Sequence, residues 1–412
     1  METYLVGGAV RDTLLGLDPK DRDYVVVGAT PEEMEALGFK PVGSDFPVFL
    51  HPQTRDEYAL ARTERKSGRG YKGFTVFATP DVTLEQDLLR RDLTINAMAM
   101  DNNGKLIDPF NGKQDLDDGK LRHVSPAFTE DPVRVLRVAR FAARYARRGF
   151  CVAHETNRLM KQMVENGEVD TLVPERVWVE LEGALGENQP AQFFKVLRGC
   201  GALARIFPEI DRLFGVPQPE DHHPEIDTGV HVMMVLDQAA ELSSDTRVRF
   251  AALMHDLGKG VTPRKNWPHH YGHESLGVEL VTLLCERIRA PNEYRELAVL
   301  TARFHSDCHQ IKERRVNTVV KVFEKMDAFR KPERVELFVL ACEADSRGRL
   351  GMADVAYPQA ALFRDCFAAA MAVDTTEVAT AAQGDGLHGE AIGNRVREAR
   401  VHAVKLVMAQ GN

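Results

Sequence analysis

The stretch LVGGAVRDTLLG (residues 5–16), followed by PKDRDYVVVGAT (residues 19–30), decides the reading of the chain. Gly7 and Gly8 let the backbone approach a ligand closely. The apolar residues after them read as a helix whose first amides, with Arg11, face a phosphate. Asp21 and Asp23 come just before the apolar run Tyr24 to Val27. On a strand, the period of two puts both carboxylates on one face, about 6–7 Å apart along the chain. Such a pair suits Mg²⁺ ions that also bind a nucleoside triphosphate. A solvated strand start, its aspartates paired with Lys20 and Arg22, accounts for the same residues.

Outward from this point, the first 120 or so residues alternate short β-type runs (Tyr24 to Val27, Val48 to Leu50, Phe74 to Phe77, Ala97 to Met100) with helical stretches and Gly, Pro and Asn, an α+β texture. From about Glu130 apolar residues recur at three- and four-residue spacing, and the rest reads as mostly helix. GVPQPEDHHPEIDTG (residues 215–229) holds Pro217, Pro219 and Pro224 and reads as a linker. At roughly 150 residues per domain, 412 residues predict two or three domains. With 44% hydrophobic and 28% charged residues, disordered, fibrous and membrane classes are set aside. A formal charge of −8 supplies no global field for nucleic acid, so any polyanion must meet a local patch. The six cysteines form no C-x-x-C pair, which argues against a zinc cage or disulfide framework. No basic region precedes the first apolar run and no segment approaches the ~20 apolar residues of a spanning helix, so a cytoplasmic protein is expected.

Two further stretches add chemistry to the first half. In LRRDLTINAMAM (residues 89–100), Arg91 can neutralise triphosphate oxygens, and Asp92 and Asn96 can bond ribose hydroxyls; a surface Arg–Asp pair is the plainer reading. In EDPVRVLRVARFAAR (residues 130–144), Arg134, Arg137, Arg140 and Arg144 share one helical stripe that begins with Glu130 and Asp131. A guanidinium donates and a carboxylate accepts. An Asp/Arg pair therefore fits the N4 amine with N3/O2 of cytosine and the N6 amine with N1 of adenine. Uracil and guanine present the opposite pattern and would leave unpaired polar groups, a cost of about 1–3 kcal/mol per contact.

The second half carries His231 in DTGVHVMMVL, His255 and Asp256 in FAALMHDLGKG, and Asp345 in ACEADSRGR, all on predicted helices. Imidazoles with carboxylates on buried helices are ligands for divalent transition metals. Lys259 follows the His-Asp pair, and His269, His270, His273 and His305 lie between it and Asp345. The basic, Gly-rich tract at residues 61–73 reads as either a gating loop or a surface loop, and residues 312–334 carry a net charge of +4 that could touch phosphates. Trp178 and Trp267 read as packing residues.

LVGGAVRD, the two KDRD aspartates, RRDLTINAMA, DPFNG (residues 108–112) and EDPVRVLRVARFAAR resemble, in order and spacing, the motifs of class II CCA-adding tRNA nucleotidyltransferases and the related bacterial poly(A) polymerases. The H…HD…D pattern resembles the HD phosphohydrolase superfamily. The first resemblance implies a polymerase-β-like nucleotidyltransferase head (residues 1–140), then an all-α neck and body that binds tRNA (141–215). The second implies an all-α HD domain (228–345), followed by a C-terminal helical segment (346–412). The first resemblance further implies that Asp21 and Asp23 bind Mg²⁺ and carry catalysis. Gly8, Arg11, Arg91, Arg137 and Arg140 would contact the incoming ATP or CTP, and Asp131 and Arg134 its base. His231, His255, Asp256 and Asp345 would hold Ni²⁺, Mn²⁺ or Co²⁺, with Lys259 near the phosphate and His305 a further ligand. The function implied is addition of CCA to tRNA, with pyrophosphate released, beside hydrolysis of 2′,3′-cyclic phosphates, 2′-nucleotides or other phosphate esters, with no membrane or DNA partner. A poly(A) polymerase, and a phosphohydrolase whose head only binds RNA, are the alternatives.

Overall fold

The computed structural model describes residues 1–19, 21–42, 48–66, 74–221 and 223–410. Lys20, read above as a partner of the aspartates, and residues 67–73 of the basic tract lie outside the described residues. The chain divides into two compact units: unit 1 is Met1–Ala184 with Gln192–Ile206, and unit 2 is Leu185–Ala191 with Phe207–Asn412.

In unit 1 the strands are β1 (Glu2–Val6), β2 (Asp23–Val27), β3 (Lys40–Val42), β4 (Val48–Leu50), β5 (Glu57–Leu60), β6 (Thr63–Lys66), β7 (Phe74–Phe77), β8 (Ala99–Met100) and β9 (Leu106–Ile107). Seven form one sheet in the order β3-β4-β5-β2-β1-β8-β9, and β6 pairs with β7. Only β2 and β5 run parallel in that sheet, with Asp23 opposite Glu57. Alternation along β2 feeds two cores: Val25 packs with Val6, Leu88 and Ala97, and Val26 with Met34, Phe49 and Leu60. Each such buried valine contributes about 1.5–3 kcal/mol.

The helices around the sheet are α1 (Gly8–Leu14), α2 (Pro31–Ala36), α3 (Leu84–Leu89) and α4 (Gly112–Asp117), followed by α5 (Val133–Tyr145), α6 (His154–Glu165), α7 (Pro174–Leu185), α8 (Ala191–Gly199) and α9 (Ala202–Ile206). Thr30 and Thr83 close capping boxes at the starts of α2 and α3, which fixes where those helices begin. The strand expected over Ala97 to Met100 is confined to its last two residues, because Thr94–Asn96 forms a 3₁₀ turn held by Thr94 Oγ1 donating to Asp115 at 2.7 Å. Residue 140 lies inside α5, so the head has no break at that point.

Unit 2 is helical: α10 (Pro208–Asp211), α11 (Thr228–Leu242), α12 (Thr246–Met254), α13 (His273–Ile288), α14 (Asn292–His309), α15 (Val316–Lys325), α16 (Glu333–Arg347), α17 (Pro358–Met371), α18 (Thr375–Gly384) and α19 (Glu390–Gln410). Every residue of α12 from Val248 on is buried, and α11, α14 and α16 pack against it. A helix buried all round, its one buried charge Arg249 satisfied by backbone carbonyls, belongs at the centre of a bundle, and the chain leaves it at His255. Asp227 caps α11 by accepting from Val230 N at 2.9 Å, which places His231 one turn inside the bundle. Among the described residues, no helix is long and apolar enough to cross a membrane.

The turn after Asp256 closes on the start of α13 at Gly258, where an added Cβ would lie 1.9 Å from His273 O and 2.7 Å from Gly277 N. Both obstacles are backbone, so Gly258→Ala is expected to destabilise unit 2 by at least about 1–3 kcal/mol. Urea unfolding followed by circular dichroism reads this as a lower midpoint than that of the parent chain.

Candidate active sites in the two units

A cleft of about 730 Å³ in unit 1 is lined by Gly8, Arg11, Asp21, Asp23, Arg91, Asp92, Asn96, Asp131, Arg134, Arg137 and Arg140. It therefore gathers every residue of this half that the sequence assigned to the metal or the nucleotide. Asp21 lies in a bend before β2, which begins at Asp23, so strand alternation does not set their relation as expected. The bend does, and both side chains are exposed and line the cleft. Although its surface is open to the cleft, partial desolvation by the cleft walls, opposed by Arg91 and reinforced by Asp21, raises the Asp23 carboxyl above its ordinary value. Glu57, opposite Asp23 on β5, lines the same cleft and offers a carboxylate that sequence reading did not find, since only the parallel register reveals it. An oxygen-only donor set of this kind fits a hard cation such as Mg²⁺.

Asp92 and Asn96, expected to bond ribose hydroxyls, are buried at the cleft wall, and their polar atoms meet protein donors and acceptors. Asp92 accepts from Leu93 N at 2.8 Å, Asn96 Nδ2 at 3.0 Å and Arg137 Nε at 2.7 Å. Asn96 Oδ1 in turn accepts from Arg11. Burial alone would raise the Asp92 carboxyl, but Arg137 and the hydrogen bond from Asn96 outweigh it and bring it down to about 2. Arg91 reaches Asp87 at 3.3 Å and passes so close to Gly7 that a Cβ there would lie 2.7 Å from its Nη1. Gly7, at φ +66, is thus required by conformation, and a side chain there would also displace the Arg91 guanidinium.

The arginine stripe of α5 is likewise not a bare basic face. Arg134 donates to Ala127 O at 2.8 Å and Arg90 O at 2.7 Å, and Arg140 donates to Glu180 at 2.6 Å. Asp131 is held by Arg176 on α7, through bonds of 3.0 and 2.7 Å. Arg176, Glu180 and Gly183 lie along one face of α7, and a Cβ at Gly183 would come within 2.9 Å of Arg140 Cδ. The guanidiniums of Arg11, Arg137 and Arg140 lie 5.2, 5.8 and 5.4 Å from the centre of the Phe141 ring. PERVWVEL reads from sequence only as an amphipathic helix; an Arg four residues before a Glu, on the face meeting the stripe, was the available signal.

In unit 2, His231, His255 and Asp345 form one group able to hold a metal, and Asp256, His273 and His305 form another. The expected four ligands are therefore brought together but split between two neighbouring groups, with His255 Nε2 at 3.1 Å from Asp256 and 3.5 Å from Asp345. His255, His273 and His305 each direct Nδ1 to a backbone carbonyl, of Ala252, His270 and Thr301, at 2.7, 2.8 and 2.9 Å. That leaves their Nε2 atoms facing the carboxylates, the orientation of metal-ligating imidazoles. His255 Nε2 and Asp256 Oδ1 are buried and make no hydrogen bond, so the donor set fits a divalent cation. Burial pulls the His255 ring down, but Asp256 and Asp345 carry it up to about 9, a positive charge that a cation would replace. Burial pushes His305 down to about 3, leaving it neutral.

The stretch expected to be a linker belongs to this site. Glu225 lies 2.8 Å from His231 Nδ1, His223 lies 3.1 Å from Glu225, and Gln218 accepts from Lys259 Nζ. The segment is fixed because Gln218 N donates to Ile226 O at 2.7 Å and Thr228 N to Val216 O at 2.9 Å. Its richness in His and acids, unlike a Gly/Ser spacer, was the signal. His309, 2.7 Å from Asp345, was also missed. Lys259 lies 2.6 Å from Asp256.

Fold and sites together define a nucleotidyltransferase head joined to a histidine- and aspartate-rich helical domain. The chain matches the poly A polymerase head domain over residues 3–122, the probable RNA- and SrmB-binding site of polymerase A over 149–214 and the HD domain over 228–333. It is 62% identical over 410 residues to the multifunctional CCA protein of Thioalkalivibrio sulfidiphilus, covering 100% of this chain and 99% of that one. It is also 62% identical over 405 residues to that of Nitrosococcus oceani, covering 98% of each. Two solved structures share the fold. A CCA-adding enzyme in its apo form II has a TM-score of 0.66 at 20% identity, covering 99% of this chain and 92% of that one. A complex of a CCA-adding enzyme with CTP has a TM-score of 0.62 at 22% identity, covering 98% and 87%. The chain belongs to the multifunctional CCA protein family.

The lowered pKa of Asp92 stabilises unit 1 above the ordinary carboxyl range and is lost as pH falls toward about 2. Arg137→Gln removes the main opposing charge, so the acid-unfolding midpoint of this variant is expected to lie at higher pH than the parent's. A circular-dichroism titration from pH 7 downward measures it, and coincident acid limbs would contradict the pairing.

Proposed function

We infer that the unit 1 cleft adds C, C and A to the 3′ end of tRNA, taking CTP and ATP and releasing pyrophosphate. The observation that carries this is the convergence of two carboxylates, an arginine cluster and a carboxylate-guanidinium pair on one cleft in a chain of this family. Mg²⁺ held by Asp21 and Asp23 would help activate the RNA 3′-hydroxyl and neutralise charge at the α-phosphate and departing pyrophosphate. Gly8 lets the backbone meet the triphosphate, and Arg11, Arg91, Arg137 and Arg140 supply its counter-charge, already oriented by Asn96, Asp87, Asp92 and Glu180. Asp131 and Arg134 read the edge of the base, with Arg176 fixing the Asp131 carboxylate. An open-ended poly(A) polymerase would need most of the same head residues, but relatives at 62% identity over the full chain are named for CCA. A head that only bound RNA would not require exposed Asp21 and Asp23 at the cleft.

Unit 2 hydrolyses phosphate esters, of which RNA-end 2′,3′-cyclic phosphates and 2′-phosphates suit a tRNA-repair enzyme. The imidazole-rich donor set of His231, His255, Asp256 and Asp345 fits Ni²⁺, Mn²⁺ or Co²⁺ better than Mg²⁺. Lys259, beside Asp256, is placed to meet the phosphate. Use of tRNA and triphosphates puts both activities in the cytoplasm.

Offered tRNA lacking its last three nucleotides with each triphosphate, the enzyme is expected to stop after C, C and A; a growing adenylate tail would overturn this reading. Asp21→Ala or Asp23→Ala should cut incorporation at least about 100-fold while leaving ester hydrolysis intact, and His255→Ala with Asp256→Ala should do the reverse. Arg176→Ala frees the Asp131 carboxylate, so incorporation of UTP relative to CTP should rise about tenfold, read in single-turnover assays.

A further inference from the structure

We propose that Tyr271, stacked with His269, forms a nucleobase subsite beside the phosphohydrolase centre, so that the preferred esters of unit 2 are nucleotides and RNA ends rather than small phosphate monoesters. This rests on the hydrolase reading given above. Tyr271 is 74% exposed, the most exposed large hydrophobic side chain among the described residues. Its ring lies 5.9 Å from that of His269, with 27° between the planes. Both rings line a cavity of about 400 Å³ that shares Lys259, His273, Ser306 and Gln310 with a second cavity, of about 500 Å³, holding Asp256, His305 and Asp345. The two cavities thus adjoin, one carrying the metal-ligating groups and the other an aromatic wall.

The loop that presents Tyr271 is anchored. His270, the residue before it, is buried, with Nδ1 at 2.7 Å from Thr262 Oγ1 and Nε2 at 2.8 Å from Pro217 O. Gly272, at φ +75, then turns the chain into α13, whose first residue is His273. A fixed backbone therefore sends His270 inward, Tyr271 to solvent and His273 to the metal-ligating group within three residues of one another. Lys259 and His273 line both cavities, so a phosphate held there has the metal-ligating groups on one side and the wall carrying Tyr271 on the other. Stacking tolerates any base, which suits an activity on RNA ends of varied sequence.

The test compares 2′-AMP with 2-glycerophosphate, a monoester without a ring, using the full chain with Ni²⁺. The ratio of their kcat/KM values is expected to fall about tenfold or more in Tyr271→Ala, mainly through the KM for 2′-AMP, and to recover in Tyr271→Phe. His269→Ala should lower the ratio less. A ratio in Tyr271→Ala within twofold of the parent's, with 2-glycerophosphate still hydrolysed, overturns the subsite and leaves the hydrolase reading standing. If the parent enzyme hydrolyses neither ester with Ni²⁺, Mn²⁺ or Co²⁺, the hydrolase reading falls and the subsite with it.

Discussion

Unit 1 depends on one constraint: a carboxylate buried beside a polyanion site must be matched by positive charge from the protein. Asp92 meets it by holding Asn96 and Arg137, while Asn96 holds Arg11 and Glu180 holds Arg140. Losing one partner of a fully buried pair costs about 3–5 kcal/mol, and less here, because Arg137 is a third exposed. The result is a set of guanidiniums ordered before any nucleotide arrives, which lowers the entropy lost on binding. The same acids that stabilise the fold therefore aim the bases.

Much of this was legible because the motifs are local. GG-x-x-R-D, D-x-D and the α5 stripe each place their residues within a few positions, and sequence spacing carries over directly to the cleft. What escaped needed long-range pairing. Glu57 enters only through the parallel register of β2 with β5, and Arg176 reaches Asp131 across 45 positions. The burial and charge partners of Asp92 also escaped, because they are properties of the packed molecule, not of RRD as a string.

In unit 2 the His-Asp pair was legible from its place at the end of an apolar helix. His305 was legible beside it as a further ligand, but the grouping of His273 with His305, and His309 altogether, were not, since His273 opens one helix and His305 and His309 close another. The carbonyl-directed Nδ1 atoms of His255, His273 and His305 are a backbone effect that no composition reveals. The Pro-rich stretch misled because proline marks rigidity as readily as it marks a joint.

That stretch carries a consequence for how such modules travel between genes. A fragment cut at residue 228, where the similarity to HD domains starts, would begin after Gln218, His223 and Glu225, and so without the groups that meet Lys259 and His231. The smallest heritable piece with an intact pocket is longer than its recognisable signature, and recombination would have to respect the hidden margin rather than the visible one.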